Sequence, residues 1–242
     1  MRKQLKSTLA IFRDRRTFAL LALTSLFLTI NWGVYIWSVS VNRIVEASLG
    51  YFITPLVSVA FGIIGFRERL RPLQWAAVGV ASVGVVTLTI QYGAIPFIAL
   101  AIAISWSSYS LFKKSLNIGA LEGLSVETTV ALLPNLLYLI WLEQQGRGHF
   151  GSGIAFSLLL AGAGIVTVVP LLLFNGATTR LPLTVTGLLQ YITPAIMFLV
   201  GIFINHEAMP LERAIGFGFI WLALGFLGTD LVRSNRNSTF SI

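Results

Sequence analysis

No charged side chain occurs from Thr17 to Asn42, from Ala47 to Phe66, from Phe150 to Thr179, from Leu181 to Asn205, or in the 41 residues from Pro72 to Phe112. That feature constrains the chain more than any other. Uncharged apolar runs of this length cannot be hidden inside a soluble domain of this size, which needs a polar shell. A helix crosses the hydrocarbon of a bilayer with about 20 mostly apolar residues. Hydrophobic residues make up 56% of the chain and charged ones 11%, against roughly 25% charged in soluble proteins. The runs are continuously apolar rather than alternating, so a membrane β-barrel is excluded. What remains is an all-α polytopic membrane protein.

The charge-free runs, cut at turn chemistry, place about eight spans near 18–40, 46–66, 72–91, 95–113, 124–142, 153–174, 183–204 and 211–231. The cut between the third and fourth falls at Gln91-Tyr92-Gly93-Ala94-Ile95-Pro96. The absence of cysteine removes disulfides, thiolate metal sites and cysteine nucleophiles. No Walker A pattern is present, and His149 and His206 lack ligand spacing. These features argue against an enzyme and against a metal or other cofactor.

Orientation follows from the basic residues. With the N-terminus inside, 14 of the 17 Lys and Arg fall on inner connections and 3, Arg43, Arg147 and Arg213, on outer ones. That is the positive-inside pattern, with both termini cytoplasmic. The net charge of +8 therefore describes membrane orientation, not nucleic-acid binding. Arg67-Glu68-Arg69 and Lys113-Lys114 read as anchors at the cytoplasmic headgroups.

An internal repeat is visible at an offset of 139. Ile53, Thr54, Pro55, Gly62, Glu68 and Gly79 match Ile192, Thr193, Pro194, Gly201, Glu207 and Gly218. The charge count puts Glu68 inside and Glu207 outside, so the two copies have opposite orientation, which requires an odd number of helices per copy. The organisation expected is a basic cytoplasmic segment 1–17, an incomplete first copy of three helices over 18–93, a second copy of five over 94–232, and a cytoplasmic tail 233–242. By the repeat arithmetic, the first copy lacks two helices, about 45 residues, at its front.

Several residues are candidates for chemistry. Acids inside a bilayer are costly, which makes Glu46 and Glu127 candidates for a protonatable carboxylate coupled to solute movement. The plainer reading of each is an acid at a helix N-terminus, favoured by the macrodipole. Asn31, Trp32 and Tyr35 sit in the middle or outer half of the first span and suit a mixed polar and aromatic solute cavity. An interhelical hydrogen bond that only joins helices is the alternative for Asn31. Pro55 and Pro194 are expected to kink matching helices of the two copies, and such paired kinks point to a central binding site. Tyr51 and Gln190 share one repeat position four residues before each proline. They are expected to face each other across the cavity, with Tyr191 beside Gln190.

Asn31-Trp32 with Trp37, Glu46-Ala47-Ser48-Leu49-Gly50-Tyr51-Phe52-Ile53 with Pro55, Glu68-Arg69 with Gln74-Trp75, Glu127-Thr128 with Pro134, and Gln190-Tyr191-Ile192 with Pro194 resemble the RarD group of EamA-type proteins, in the drug/metabolite transporter superfamily. The resemblance covers nearly the whole chain. It implies a ten-helix inner-membrane transporter of two inverted five-helix repeats, linked to chloramphenicol resistance or sensitivity. Residues and resemblance together lead to the expectation of a secondary permease of small organic solutes working by alternating access in the bacterial inner membrane. Its expected partners are membrane lipid and the solute, with a homo-oligomer left open. A non-transporting scaffold and an inactive truncated relative are the alternatives.

Overall fold

The computed structural model describes residues 2–148, 153–203 and 211–239. His149, His206 and Glu207, and with them the second member of the Glu68 repeat pair, lie outside the described residues. Ten helices and no strands are found among those described: α1 (Arg2–Arg13), α2 (Arg15–Ser40), α3 (Ile44–Phe66), α4 (Pro72–Tyr92), α5 (Phe97–Leu116), α6 (Ala120–Gln144), α7 (Ile154–Arg180), α8 (Leu183–Leu189), α9 (Ile192–Phe203) and α10 (Leu211–Thr239). Five of them, α2, α3, α4, α6 and α7, are long and apolar enough to cross a membrane. The most apolar stretch of α7 has 0% of its residues buried. So bare an apolar surface is compatible with lipid and not with water.

Local chemistry sets the helix ends. Asp14 sits between α1 and α2, where its carboxylate accepts the Arg16 N–H at 3.1 Å and the Thr17 hydroxyl at 2.5 Å. The Thr17 hydroxyl holds this carboxyl below its ordinary pKa. Pro72 opens α4, where a missing N–H costs nothing, and the Arg71 N–H is taken by Gln74 Oε1 at 3.0 Å. Gly93 closes α4 at φ 74°, a backbone region that glycine enters without penalty.

The seventh expected span divides in two. The N–H of Gln190 bonds the carbonyl of Gly187 at 3.0 Å, and Tyr191 bonds Leu188 at 3.2 Å, both one residue tighter than an α-helix. Pro194 then lies in the first turn of α9, not in the interior of one continuous helix. The physical reason is proline itself. Its ring clashes with the carbonyl four residues back, here Gln190, and it offers no N–H to that carbonyl. Pro55, by contrast, stays inside the continuous α3.

The chain forms two compact units. One comprises Met1–Thr29 with Phe112–Leu181, and the other Ile30–Leu111 with Pro182–Ile242. In the first, α6 packs against α1 and α7.

In the second, α3 packs along α8, α9 and α4, and α10 packs along α4. Small residues permit these approaches. A Cβ on Gly84 would stand 3.0 Å from Phe219 Cβ, and one on Gly216 would stand 2.8 Å from the Leu88 side chain. Near the start of α4, Gln74 Nε2 donates to Asp230 Oδ2 at 2.9 Å, close to the end of α10. Contacts therefore run from Gln74–Asp230 to Leu88–Gly216, rising along one helix as they fall along the other, so α4 and α10 are antiparallel. The same holds for α3 and α8: Gly62 adjoins Thr184, and Gly187 adjoins Pro55 and Ser58. At the crossing of α3 with the α8–α9 break, the Tyr191 hydroxyl donates to the Phe52 carbonyl at 3.2 Å, between residues 139 apart in sequence.

Candidate functional site

The first unit holds a charge pair. Lys113 Nζ donates to Glu127 Oε1 at 2.8 Å, and both side chains are 1% exposed. The same oxygen accepts the Thr24 hydroxyl at 2.7 Å, while the Ser25 hydroxyl bonds the Glu127 main-chain carbonyl at 2.9 Å. Gly123 leaves the ammonium its space, because a Cβ there would fall 2.5 Å from Lys113 Nζ. Helices α2, α5 and α6 are thus tied at one polar point. A desolvated pair of this kind is stable only with close geometry and further hydrogen bonds, and both are present.

This corrects the headgroup-anchor reading of Lys113. The residue, in the last turn of α5, is buried against an acid, while the ammonium of Lys114 beside it bonds the Leu181 carbonyl. The missed signal was local. A lysine near the end of one helix and a glutamate near the start of the next, joined by the short turn before Ala120, are set to meet.

Glu46 is 3% exposed and spends its carboxylate on another helix. Oε1 accepts the Ile98 N–H at 2.8 Å, capping the first turn of α5, and Oε2 accepts the Tyr92 hydroxyl at 2.8 Å. Arg43 approaches it at 3.7 Å. The acid therefore stands in the first turn of its own helix α3 and also holds the α4–α5 turn by capping α5.

Glu68 does the same at the other end of α3. Its two oxygens accept the N–H groups of Leu183 at 2.7 Å and Thr184 at 2.8 Å, the first residues of α8. The left-handed turn at Arg67, φ 54°, brings the side chain back toward α8.

Among the nominated cavity residues, Asn31 Nδ2 donates to the Ile102 carbonyl at 2.9 Å and to Ser105 Oγ at 3.1 Å, joining α2 to α5. Tyr35 and Tyr51 pack edge to face with ring centres 6.0 Å apart. Tyr191 is buried, with its hydroxyl on Phe52. Gln190 is half-buried, and its Nε2 is buried without a hydrogen-bond partner among the described residues. Trp32 is exposed.

Sequence reasoning passed over a hydroxyl seam beside these residues. Ser58 and Ser107 share a 2.9 Å hydrogen bond, and Ser107 also donates to the Thr54 carbonyl. Serines at 105, 107, 108 and 110, all buried, were the available clue. An apolar groove of about 740 Å³ opens where α4 turns into α5, lined by Ile53, Val85, Thr89, Ile90, Pro96 and Leu100 among others. None of the nominated residues lines it.

Long apolar helices tied to one another by buried charge and hydroxyl groups are the build of a multi-pass membrane protein. Residues 94–229 match the EamA-like transporter family. The chain is 48% identical over 229 residues to Protein RarD of Streptomyces exfoliatus, covering 94% of this chain and 73% of that protein. It is 38% identical to Protein RarD of Escherichia coli, covering 91% and 75%. It is 30% identical to the chloramphenicol-sensitive protein RarD of Pseudomonas aeruginosa, covering 93% and 75%. The chain belongs to the EamA-like transporter family and is RarD-like within it: a multi-pass bacterial membrane protein of the drug/metabolite class.

Proposed function

We propose that the chain is a secondary permease of small organic solutes, with about eight spans arranged as two inverted copies that rock about a shared cavity. The eight spans are α2 to α7, the α8–α9 pair and α10, with both termini cytoplasmic. The observation that carries the reading is the antiparallel packing of α3 on α8–α9 and of α4 on α10. Phe52 and Tyr191 meet at the first crossing and are 139 residues apart. Ala81 and Ile220, also 139 apart and both fully buried, belong to the same core cluster, one from each helix of the second pair. Antiparallel mates that cross where equivalent residues meet are what a two-fold axis in the membrane plane produces.

The solute is taken up beside Asn31, Trp32, Tyr35, Tyr51, Gln190 and Tyr191. Aromatic faces supply apolar contact, and the unpartnered Gln190 amide supplies a directed donor. Helix breakage at Gln190, ahead of Pro194, and the proline of α3 give the two matched helices their room to bend. Glu127 couples the cycle to a proton gradient, with Lys113 as its partner in the resting state, and Glu46 is the second coupling candidate. The name of the Pseudomonas relative makes chloramphenicol, a small neutral aromatic solute, the first to test.

The test is labelled chloramphenicol flux in proteoliposomes under an imposed pH gradient, counted per folded protein. The wild-type chain moves the solute and responds to the gradient. Gln190→Ala loses one hydrogen bond to solute and weakens apparent affinity by roughly three- to tenfold. Lys113→Met/Glu127→Leu, which leaves no charge unpaired, retains downhill flux and loses the response to the gradient. Flux no greater than in empty liposomes for a panel of small aromatic solutes would instead favour a non-transporting scaffold.

A further inference from the structure

The segment before the first span folds as α1, set off from α2 by the Asp14 cap. At about 100° per residue its positions divide into three stripes. Ser7 and Ile11 share the stripe turned to α6, where the Ser7 hydroxyl bonds Glu122 at 3.4 Å. Positions 5, 9 and 12, spaced i, i+4 and i+7, form an apolar stripe of Leu5, Leu9 and Phe12. Leu9 is 57% and Phe12 41% exposed, so neither of these two is buried against α6. Positions 2, 6 and 13 form the adjoining stripe of Arg2, Lys6 and Arg13. Six basic residues and a single acid, Asp14, stand within the first 16 residues, and that acid is engaged in capping α2.

We propose that α1 is an interfacial helix that binds anionic phospholipid. Its Leu5–Leu9–Phe12 stripe sits at the boundary of headgroups and acyl chains, and its basic stripe meets lipid phosphates. Two arguments select this occupant. Exposed leucine and phenylalanine next to a span that begins at Arg15 are already at the level of the membrane surface. A basic stripe flanking an apolar one is complementary to a negatively charged headgroup layer and to little else at that depth. Among the described side chains, the charged group that meets α1 from α6 is Glu122, which bonds Ser7 on the stripe opposite Arg13. The proposal is independent of the transport reading: α1 would bind anionic lipid whether or not the bundle moves a solute.

The chain contains no cysteine, so a single introduced one carries a unique label. The full chain bearing Leu9→Cys and an environment-sensitive fluorophore is reconstituted in nanodiscs of phosphatidylcholine alone, or of equal parts phosphatidylcholine and phosphatidylglycerol. The emission shifts to the blue in the anionic discs, and the shift shrinks as salt is raised. The triple variant Arg2→Gln/Lys6→Gln/Arg13→Gln loses the difference between the two compositions. A label at Ile11, on the stripe turned to α6, reports no difference. Identical emission at position 9 in both discs, an undiminished shift in the triple variant, or an equal shift at position 11 would each overturn the proposal. The salt arm uses no charge substitutions, so a misfolded triple variant does not decide the result alone.

Discussion

Replacing Glu127 with leucine while Lys113 stays in place costs about 3–5 kcal/mol of stability, the range for breaking one side of a buried pair. The ammonium is 1% exposed and would be left with neutral neighbours where it now has a carboxylate at 2.8 Å. Lys113→Met costs a similar amount by stranding the carboxylate. Lys113→Met/Glu127→Leu recovers most of the loss, because neither charge is desolvated without a partner and the volumes are similar. Thermal unfolding of the four proteins in one detergent, read as a double-mutant cycle, measures this directly. Simple additivity of the two single losses would mean that the charges do not interact. The same cycle separates the two readings of the pair. Recovered stability with lost gradient response marks a coupling site, and recovered stability with normal transport marks a structural tie.

The second large effect is at Glu68. Two backbone N–H groups of α8, part-buried, donate to its two oxygens at 2.7 and 2.8 Å. Hydrogen bonds to a charged acceptor contribute about 1.5–3 kcal/mol each and are not additive on one group. Glu68→Ala is therefore expected to cost about 2–4 kcal/mol. The loss is local. Helix α8 has only seven residues and is cut off from α9 at Gln190, so it has no long helix to hold it. Amide exchange at Leu183 and Thr184 should quicken by roughly one to three orders of magnitude in Glu68→Ala, at 1.4 kcal/mol per tenfold. Exchange within α4 and α10 should stay as it was. Glu68→Gln, with one acceptor oxygen in place of two, should fall between. Unchanged exchange at Leu183 and Thr184 would show that the carboxylate does not hold α8.

The helices were legible where charge and turn residues define them. The expected 46–66 and 72–91 lie beside the observed Ile44–Phe66 and Pro72–Tyr92, because Arg67, Arg69 and Arg71 separate the two apolar runs and Gly93 with Pro96 ends the second. Helix α1 was not foreseen. Its basic residues were counted for orientation, while the i, i+4, i+7 spacing of Leu5, Leu9 and Phe12 went unused. The span expected at 183–204 was read as a single helix because its composition is uniformly apolar. The break at Gln190 is a backbone effect of Pro194, four residues on.

The site was legible as residue types and not as partnerships. Glu46 and Glu127 stood out as acids in apolar surroundings. Their partners, Ile98 at 52 residues' distance and Thr24 at 103, are set by helix packing that no local pattern encodes. Lys113 was misplaced for the same reason, since a lysine beside Lys114 at a helix end looks like an anchor until the next helix is folded against it.

The proposed permease requires two copies of one helical motif to thread the bilayer in opposite directions around a common cavity. Single cysteines in the otherwise cysteine-free chain test it most directly, one at Arg69 after α3 and one at the repeat-equivalent position 208 after α9. A membrane-impermeant thiol reagent applied to intact cells should label position 208 and spare position 69. Applied to inside-out vesicles, it should label position 69 and spare position 208. Labelling of both positions from the same side would contradict the account.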